Sequence, residues 1–152
     1  MHLAYNNIGI LKYENMFVSG EYSLMISKEF PNAEIYAFEP NKNTFDLLTQ
    51  NVNQSVKCFN IGLGSKEKNE EIYTYSDNLS ISHANVYGEV FSEFHKNDNI
   101  VTIGFQVNTL DKFCEQEKVN HIDFLKIGTE GNELDVLKGG RKMISAGRVK
   151  LI

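Results

Sequence analysis

Carboxylates follow two of the short apolar stretches in this sequence, at positions where they could bind a ligand. Glu39 comes directly after AEIYAF and before Pro40. If that stretch is a strand of a parallel sheet, Glu39 lies at its carboxyl end, where a carboxylate can accept two hydrogen bonds from ribose hydroxyls. The alternative interpretation is an exposed turn residue ahead of Pro40.

A second pair of carboxylates, Glu130 and Glu133, follows the stretch HIDFLKIG. They flank the predicted start of a helix, where the helix dipole favours negative charge. They could bind a ligand or orient a substrate, although helix electrostatics explains them equally well. Gly20 precedes the first predicted helix and would let a ligand approach the backbone. The local string ENMFVSGEYS contains no GxGxxG, and a single glycine is typical of a simple turn.

Other reactive residue types form no recognisable catalytic or metal-binding pattern. Ser80 and Ser82 have no adjacent glycine elbow and no paired base, which argues against a hydrolase triad. Cys58 and Cys114 form neither a CxxC motif nor a cluster with histidine, which argues against a zinc site or a disulfide scaffold. The histidines are scattered, and each is interpreted as a surface residue: His2, His83, His95 and His121.

Short strands alternating with helices must position the carboxylates. The first half of the chain predicts a helix over Glu21–Phe30, whose inward-facing residues are Tyr22, Met25, Ile26 and Phe30. It then predicts a strand over Glu34–Phe38 and a helix over Lys42–Val52 capped by Asn41. A strand in VKCFN follows and runs into a turn at Gly62 and Gly64.

The second half predicts a strand in EEIYTYS, a long polar loop over Asp77–Asn99 and a strand in IVTIGFQV. A helix over Leu110–Glu117, capped by Thr109, and a strand over Ile122–Ile127 follow. The last elements are a buried strand in VKLI and, before it, a helix in NELDVLKGGRKMIS whose inward-facing residues are Leu134, Val136, Leu137, Met143 and Ile144. The alternation predicts one domain with a doubly wound, mainly parallel α/β sheet, helices on both faces and a β-hairpin excursion from Glu70 to Val107.

Composition restricts the classes of partner. The 152 residues contain 15 Lys and Arg against 20 Asp and Glu, a net charge of -5. An acidic chain is a poor candidate for binding nucleic acid or an anionic membrane. No apolar run approaches the roughly 20 residues of a membrane span, and the N-terminus does not resemble a signal peptide. Two cysteines without a disulfide pattern make a reduced, cytoplasmic setting the expectation.

Four strings in order, AFEPNKNTFDLLTQNV, VKCFNIGLGSKEKNEEIYTY, VNTLDKF and IDFLKIGTEGNELDVLKGG, resemble the FkbM-type S-adenosylmethionine-dependent methyltransferases. The resemblance covers most of the chain and is most specific from Ile122 to Gly140. It implies a Rossmann-like class I methyltransferase fold that binds S-adenosylmethionine (SAM) across the strand ends. It also implies O-methylation of a small-molecule acceptor, a hydroxyl on a sugar or natural product.

The resemblance also assigns roles to individual residues. Glu39 matches the acidic residue that holds the ribose, and Gly20 matches the last glycine of the first cofactor loop. Asn60 and Ile61 match the segment beside the adenine. The acidic positions after the fourth strand, assigned here as catalytic, are Glu130 and Glu133. No metal is implied.

Two positions depart from the family pattern. Met16 stands where the family has the first glycine of the cofactor loop, and Gly128 stands where it has a strand-end aspartate. These changes leave a second hypothesis open, a degenerate methyltransferase-fold domain that binds SAM weakly or not at all. The family also continues beyond the fifth strand of its sheet, so we expect an open edge at VKLI through which the chain could self-associate. A nucleotide-dependent oxidoreductase fits Glu39 but lacks the glycine fingerprint.

Overall fold

The computed structural model describes residues 2–7, 20–75, 100–129 and 131–152. The predicted loop over Asp77–Asn99, together with Met16 and Glu130, lies outside the described residues. The strands are β1 (His2–Asn7), β2 (Glu34–Phe38), β3 (Val56–Phe59), β4 (Gly62–Leu63), β5 (Lys68–Tyr75), β6 (Ile100–Asn108) and β7 (Phe124–Gly128). The helices are α1 (Glu21–Glu29), α2 (Lys42–Asn51), α3 (Leu110–Gln116), α4 (Glu133–Gly139) and α5 (Arg141–Ser145).

A four-stranded parallel sheet forms the centre of the fold, in the order β3-β2-β1-β7. Its register places Asn6 beside Phe38 and Asn7 beside Gly128. Strand β1 was not predicted, because HLAYNN has no apolar run. It is a strand because it pairs with a neighbour on each side.

Helices cover both faces of this sheet, as predicted. On one face, α1 and α2 enclose a core cluster of Ala33, Ile35, Ala37, Leu48 and Val56. On the other face, α3, α4 and α5 enclose a larger cluster built around Phe38, Leu110, Phe113, Leu125 and Val136. Two-sided burial is the usual state of a central parallel strand, which explains the nearly continuous apolar character of β2.

The remaining strands form a separate sheet in the order β4-β6-β5. Strand β5 pairs antiparallel with β6 over the whole length of β5, from Lys68 opposite Val107 to Tyr75 opposite Ile100. This pairing confirms the predicted hairpin excursion. The short strand β4 pairs parallel with β6, so the chain leaves the central sheet after β3.

The helix ends follow the predicted capping signals. The Asn41 side chain accepts a 3.0 Å hydrogen bond from Asn43 N at the start of α2. The Thr109 hydroxyl accepts one of 3.2 Å from Lys112 N at the start of α3. The predicted single helix over NELDVLKGGRKMIS is instead two short helices that meet at Gly140. Glycine is a poor helix former, which explains a break at that point.

Some predicted inward faces are wrong. Met25 and Phe30 are 40% and 45% exposed, whereas Ser23 and Ser27 of α1 are buried. Their small side chains allow the helix backbone to approach the core, and Tyr22 and Ile26 pack at the edge of that contact. In α4, Leu134 is 64% exposed.

The prediction that VKLI is a buried strand is also wrong. Val149 forms one isolated parallel bridge with Ile122, and the N–H of Leu125 donates to the carbonyl of Leu151 at 2.8 Å. Leu151 and Ile152 are 59% and 55% exposed. Backbone hydrogen bonds join this segment to the chain around β7 as far as Leu151, but the described residues do not cover its last side chains.

Candidate functional site

The carboxyl ends of the four parallel strands bring several polar positions into one row. Asn60 follows β3, Glu39 follows β2, Asn7 ends β1, and Gly128 ends β7 with Thr129 next. Neighbouring strands lie about 4.8 Å apart, so Glu39 and Gly128 are separated by about 10 Å across β1. A small ligand can span that distance, and ligands of open α/β sheets bind at this edge.

Glu39 is a buried acid at this edge. The residue is only 4% exposed, and its Oε1 accepts a 2.8 Å hydrogen bond from Asn41 N. Within the described residues, Oε2 accepts none. Burial raises the pKa of Glu39 to about 8, and the hydrogen bond from Asn41 opposes that shift. The interpretation as an exposed turn residue is therefore wrong.

Asn60 holds the turn that carries Glu39. Its side-chain N–H₂ donates to the carbonyls of Glu39 at 2.8 Å and Pro40 at 3.1 Å. The backbone N–H of Glu39 donates to the carbonyl of Phe59 at 3.0 Å. Two of the predicted cofactor residues are thus in direct contact. Ile61, another of the predicted cofactor residues, is half-buried against the larger core cluster.

The aromatic rings of Phe38, Phe59 and Phe113 pack together next to these strand ends. The rings of Phe38 and Phe113 meet edge to face with 4.6 Å between centroids, and those of Phe59 and Phe113 with 4.9 Å. Phe38 and Phe59 stack at 5.6 Å. Such pairs contribute about 0.5–1.5 kcal/mol each beyond the burial of their area. They hold β2 and β3 in register where Glu39 and Asn60 follow.

The Glu133 carboxylate organises the turn between β7 and α4. It accepts hydrogen bonds from Thr129 N at 2.9 Å and Gly131 N at 3.0 Å. Burial alone would raise the pKa of Glu133, but these backbone donors outweigh it and hold the pKa below its ordinary value. The Thr129 hydroxyl is buried, lies near this carboxylate and has no hydrogen-bond partner within the described residues. The predicted catalytic role of Glu133 stays a prediction, as does that of Glu130.

Gly20 is required where it stands for reasons of packing. Its φ of 97° lies in the left-handed region, and it caps α1. A Cβ there would lie 2.7 Å from Leu48 Cδ1 and 3.0 Å from Val52 Cγ1. These contacts explain a glycine without a ligand, so its cofactor role stays a prediction.

Gly128 leaves room for a side chain. A Cβ at this position would lie 3.4 Å from Lys126 Nζ, an ordinary contact with the flexible end of a side chain. The Lys126 ammonium lies 5.2 Å from the centre of the Tyr22 ring, and burial lowers its pKa. The strand end therefore places a cation, rather than the family's carboxylate, on this side of the sheet.

Sequence reasoning missed Asn7, Thr129 and Lys126 as members of this region. Thr129 directly precedes Glu130 in the motif, which could have drawn attention to it. Asn7 had no signal, because its strand was not recognised. Among the described residues, no cluster of His, Cys, Asp or Glu could hold a metal, and no helix is long and apolar enough to span a membrane.

Comparison with known families gives an independent result for this arrangement. Residues 7–152 match the model of the methyltransferase FkbM domain. The chain belongs to the FkbM methyltransferase family. This membership confirms the resemblance seen in the sequence and supports methyltransferase activity, with the methyl donor that such activity requires. Searches of curated proteins and of solved structures returned no match.

Proposed function

We propose that this FkbM-family chain binds SAM at the carboxyl edge of its parallel sheet and methylates a hydroxyl oxygen of a small molecule, such as a sugar. The buried carboxyl of Glu39 carries the proposal. Burying a carboxylate is unfavourable unless it is hydrogen-bonded, and a ligand with two adjacent hydroxyls would donate such hydrogen bonds. The strand order β3-β2-β1-β7 supports a Rossmann-like arrangement, because β3-β2-β1 matches one half of that fold and β7 takes the place of the next strand.

The residues present fit the adenosine part of such a cofactor. Glu39 Oε2 has no hydrogen-bond partner among the described residues, so it can accept a ribose hydroxyl. Asn60 and Ile61 follow the neighbouring strand and would lie beside the adenine. When bound, SAM would supply an electrophilic methyl group. The protein's own task is to hold the acceptor oxygen in line with that group and to take its proton.

Of the two acids that the resemblance assigns as catalytic, Glu130 is our candidate for the proton acceptor. Both oxygens of Glu133 accept backbone N–H groups, so we assign Glu133 to positioning the turn between β7 and α4. The lowered pKa of Glu133 keeps it ionised and bound to that turn at neutral pH. Cytoplasmic location and self-association near residues 149–152 remain further parts of the proposal.

The second candidate function is a degenerate domain that has lost useful SAM binding. Gly128 favours it, because this strand end lacks the carboxylate that the family pattern places there. A Cβ at Gly128 would make only an ordinary contact with Lys126 Nζ, so the backbone packing does not itself require glycine there. The two hypotheses differ in one measurable quantity, the affinity for the cofactor.

Calorimetric titration with S-adenosylhomocysteine, the demethylated product, tests the proposal. We expect binding by the wild type and a dissociation constant at least about tenfold higher for Glu39→Ala, because each hydrogen bond to a charged group contributes about 1.5–3 kcal/mol. Glu34→Ala, at the opposite end of the same strand, is the matched control and should bind like the wild type. Equal affinities in all three proteins would contradict the assignment of Glu39. No binding by the wild type would favour the degenerate domain.

A further inference from the structure

A groove of about 850 Å³ lies between α3 and the α4–α5 pair, apart from the strand ends described above. Its walls include Lys118 and Arg148. Arg148 directly precedes Val149, which bridges to Ile122 just ahead of β7. This part of the groove therefore lies at the amino end of the parallel sheet, opposite Glu39. The buried side chains of Cys114, Val119 and Met143 contribute to its floor.

Positive charge is concentrated in this groove although the chain as a whole is acidic. The chain carries 15 Lys and Arg and a net charge of -5. The basic residues that line the groove are Lys112, Lys118, Lys138, Lys142 and Arg148. A sphere of the groove's volume is about 12 Å across, close to the Debye length of about 10 Å at 0.1 M salt, so these charges act on one another.

Most of the acids in the groove are already engaged. Glu67 pairs with Lys112. The Asp111 carboxylate accepts the backbone N–H groups of Lys142 and Met143, both at 2.9 Å, and so joins α3 to α5. Among the described residues that line the groove, the remaining acid is Glu115. Within the described residues, the side chains of Lys118, Lys142 and Arg148 form no ion pair.

The backbone at Lys118 is also unusual for a lysine. Its φ is 58°, the left-handed conformation that glycine adopts most readily at the end of a helix. The dipole of α3 accounts for a cation at this position, but it does not account for Lys142, the second residue of α5. A common anion would account for all three cations.

We propose that this groove binds a small ligand with adjacent phosphate groups, held by Lys118, Lys142 and Arg148. Ammonium and guanidinium groups are the side chains that bind phosphate oxygens. The volume of this open groove, about 850 Å³, lies within the roughly 300–1,000 Å³ of small-molecule sites, which favours a compact anion over an acidic protein surface. The site is separate from the cofactor edge and could be occupied together with it.

Titration of the ¹⁵N-labelled protein with inorganic pyrophosphate tests this site. We expect saturable shifts confined to the amides near residues 118, 142 and 148, with affinity falling severalfold between 50 and 200 mM NaCl. Lys142→Gln should weaken binding by about fivefold, the upper range for one exposed ion pair. Lys28→Gln on α1, on the other face of the sheet, should leave it unchanged.

Lys118→Gly provides a variant whose folding is not in question. Glycine suits the positive φ at this position, so thermal stability should stay equal or rise. Pyrophosphate affinity should nevertheless fall by about fivefold. Absent or non-saturable shifts, or equal losses in Lys28→Gln, would overturn the site. Tight binding of a poly-glutamate peptide without binding of pyrophosphate would overturn the choice of a small phosphate ligand.

Discussion

Replacing Glu39 by glutamine should stabilise the folded protein, by an amount that grows with pH. The pKa of this carboxyl is raised from 4.5 to about 8, chiefly by burial. Below pH 4.5 the acid is protonated in both folded and unfolded chains, and it carries no penalty. As the pH rises towards 8, only the unfolded chain gains by ionising, which destabilises the folded state by about 1.4 kcal/mol per pH unit.

The expected gain in the free energy of unfolding for Glu39→Gln follows from these values. It is close to zero at pH 4.5, about 3 kcal/mol at pH 7 and about 5 kcal/mol above pH 8. Glutamine keeps an oxygen that can accept the hydrogen bond from Asn41 N, and it cannot ionise. Urea unfolding of wild type and variant at pH 4.5, 6, 7 and 8 measures the difference.

The exposed Glu34 at the other end of β2 provides the control, and Glu34→Gln should show no such growth with pH. A stability difference for Glu39→Gln that stays constant from pH 4.5 to 8 would refute the reasoning, because it would mean that Glu39 ionises normally in the folded protein.

The same titration predicts a proton-linked cofactor site. If Glu39 binds ribose hydroxyls as a carboxylate, binding of S-adenosylhomocysteine at pH 7 should release about 0.9 proton, since a group of pKa 8 is mostly protonated there. Calorimetry in buffers of different ionisation enthalpy measures that number. Binding without proton release would show that Glu39 stays neutral in the complex.

Further substitutions test the remaining positions. Gly20→Ala should destabilise the protein by about 2 kcal/mol or more in urea unfolding, because of its positive φ and the contact with α2, whereas Gly104→Ala, where a Cβ meets nothing within 4 Å, should be neutral or slightly stabilising. Gly128→Asp with Met16→Gly should strengthen S-adenosylhomocysteine binding; unimproved micromolar binding would show that both positions were misread. Glu133→Gln should lower stability by about 1 kcal/mol or less, since solvent screens the site. Because the pKa of Glu133 is lowered, its contribution is present above pH 4.5 and is lost as the pH falls, so the two proteins should converge in acid.

Local signals in the sequence were sufficient for several elements. The apolar run of β2, stopped by Pro40, predicted both the strand and the position of Glu39 at its carboxyl end. Asn41 and Thr109 predicted the starts of α2 and α3, because a side chain that caps a helix acts within three residues. The ordered motifs also predicted the family.

Other features depend on contacts between distant parts of the chain. Strand β1 exists through pairing with β2 and β7, so its own residues carry little signal. The buried face of α1 follows from the close approach of Ser23 and Ser27, which an apolar periodicity does not report. The sequence placed Glu39 at a strand end, but it left open whether the side chain is an exposed turn residue or a ligand-binding acid. Only the packing around its turn buries the side chain, and that burial raises the pKa.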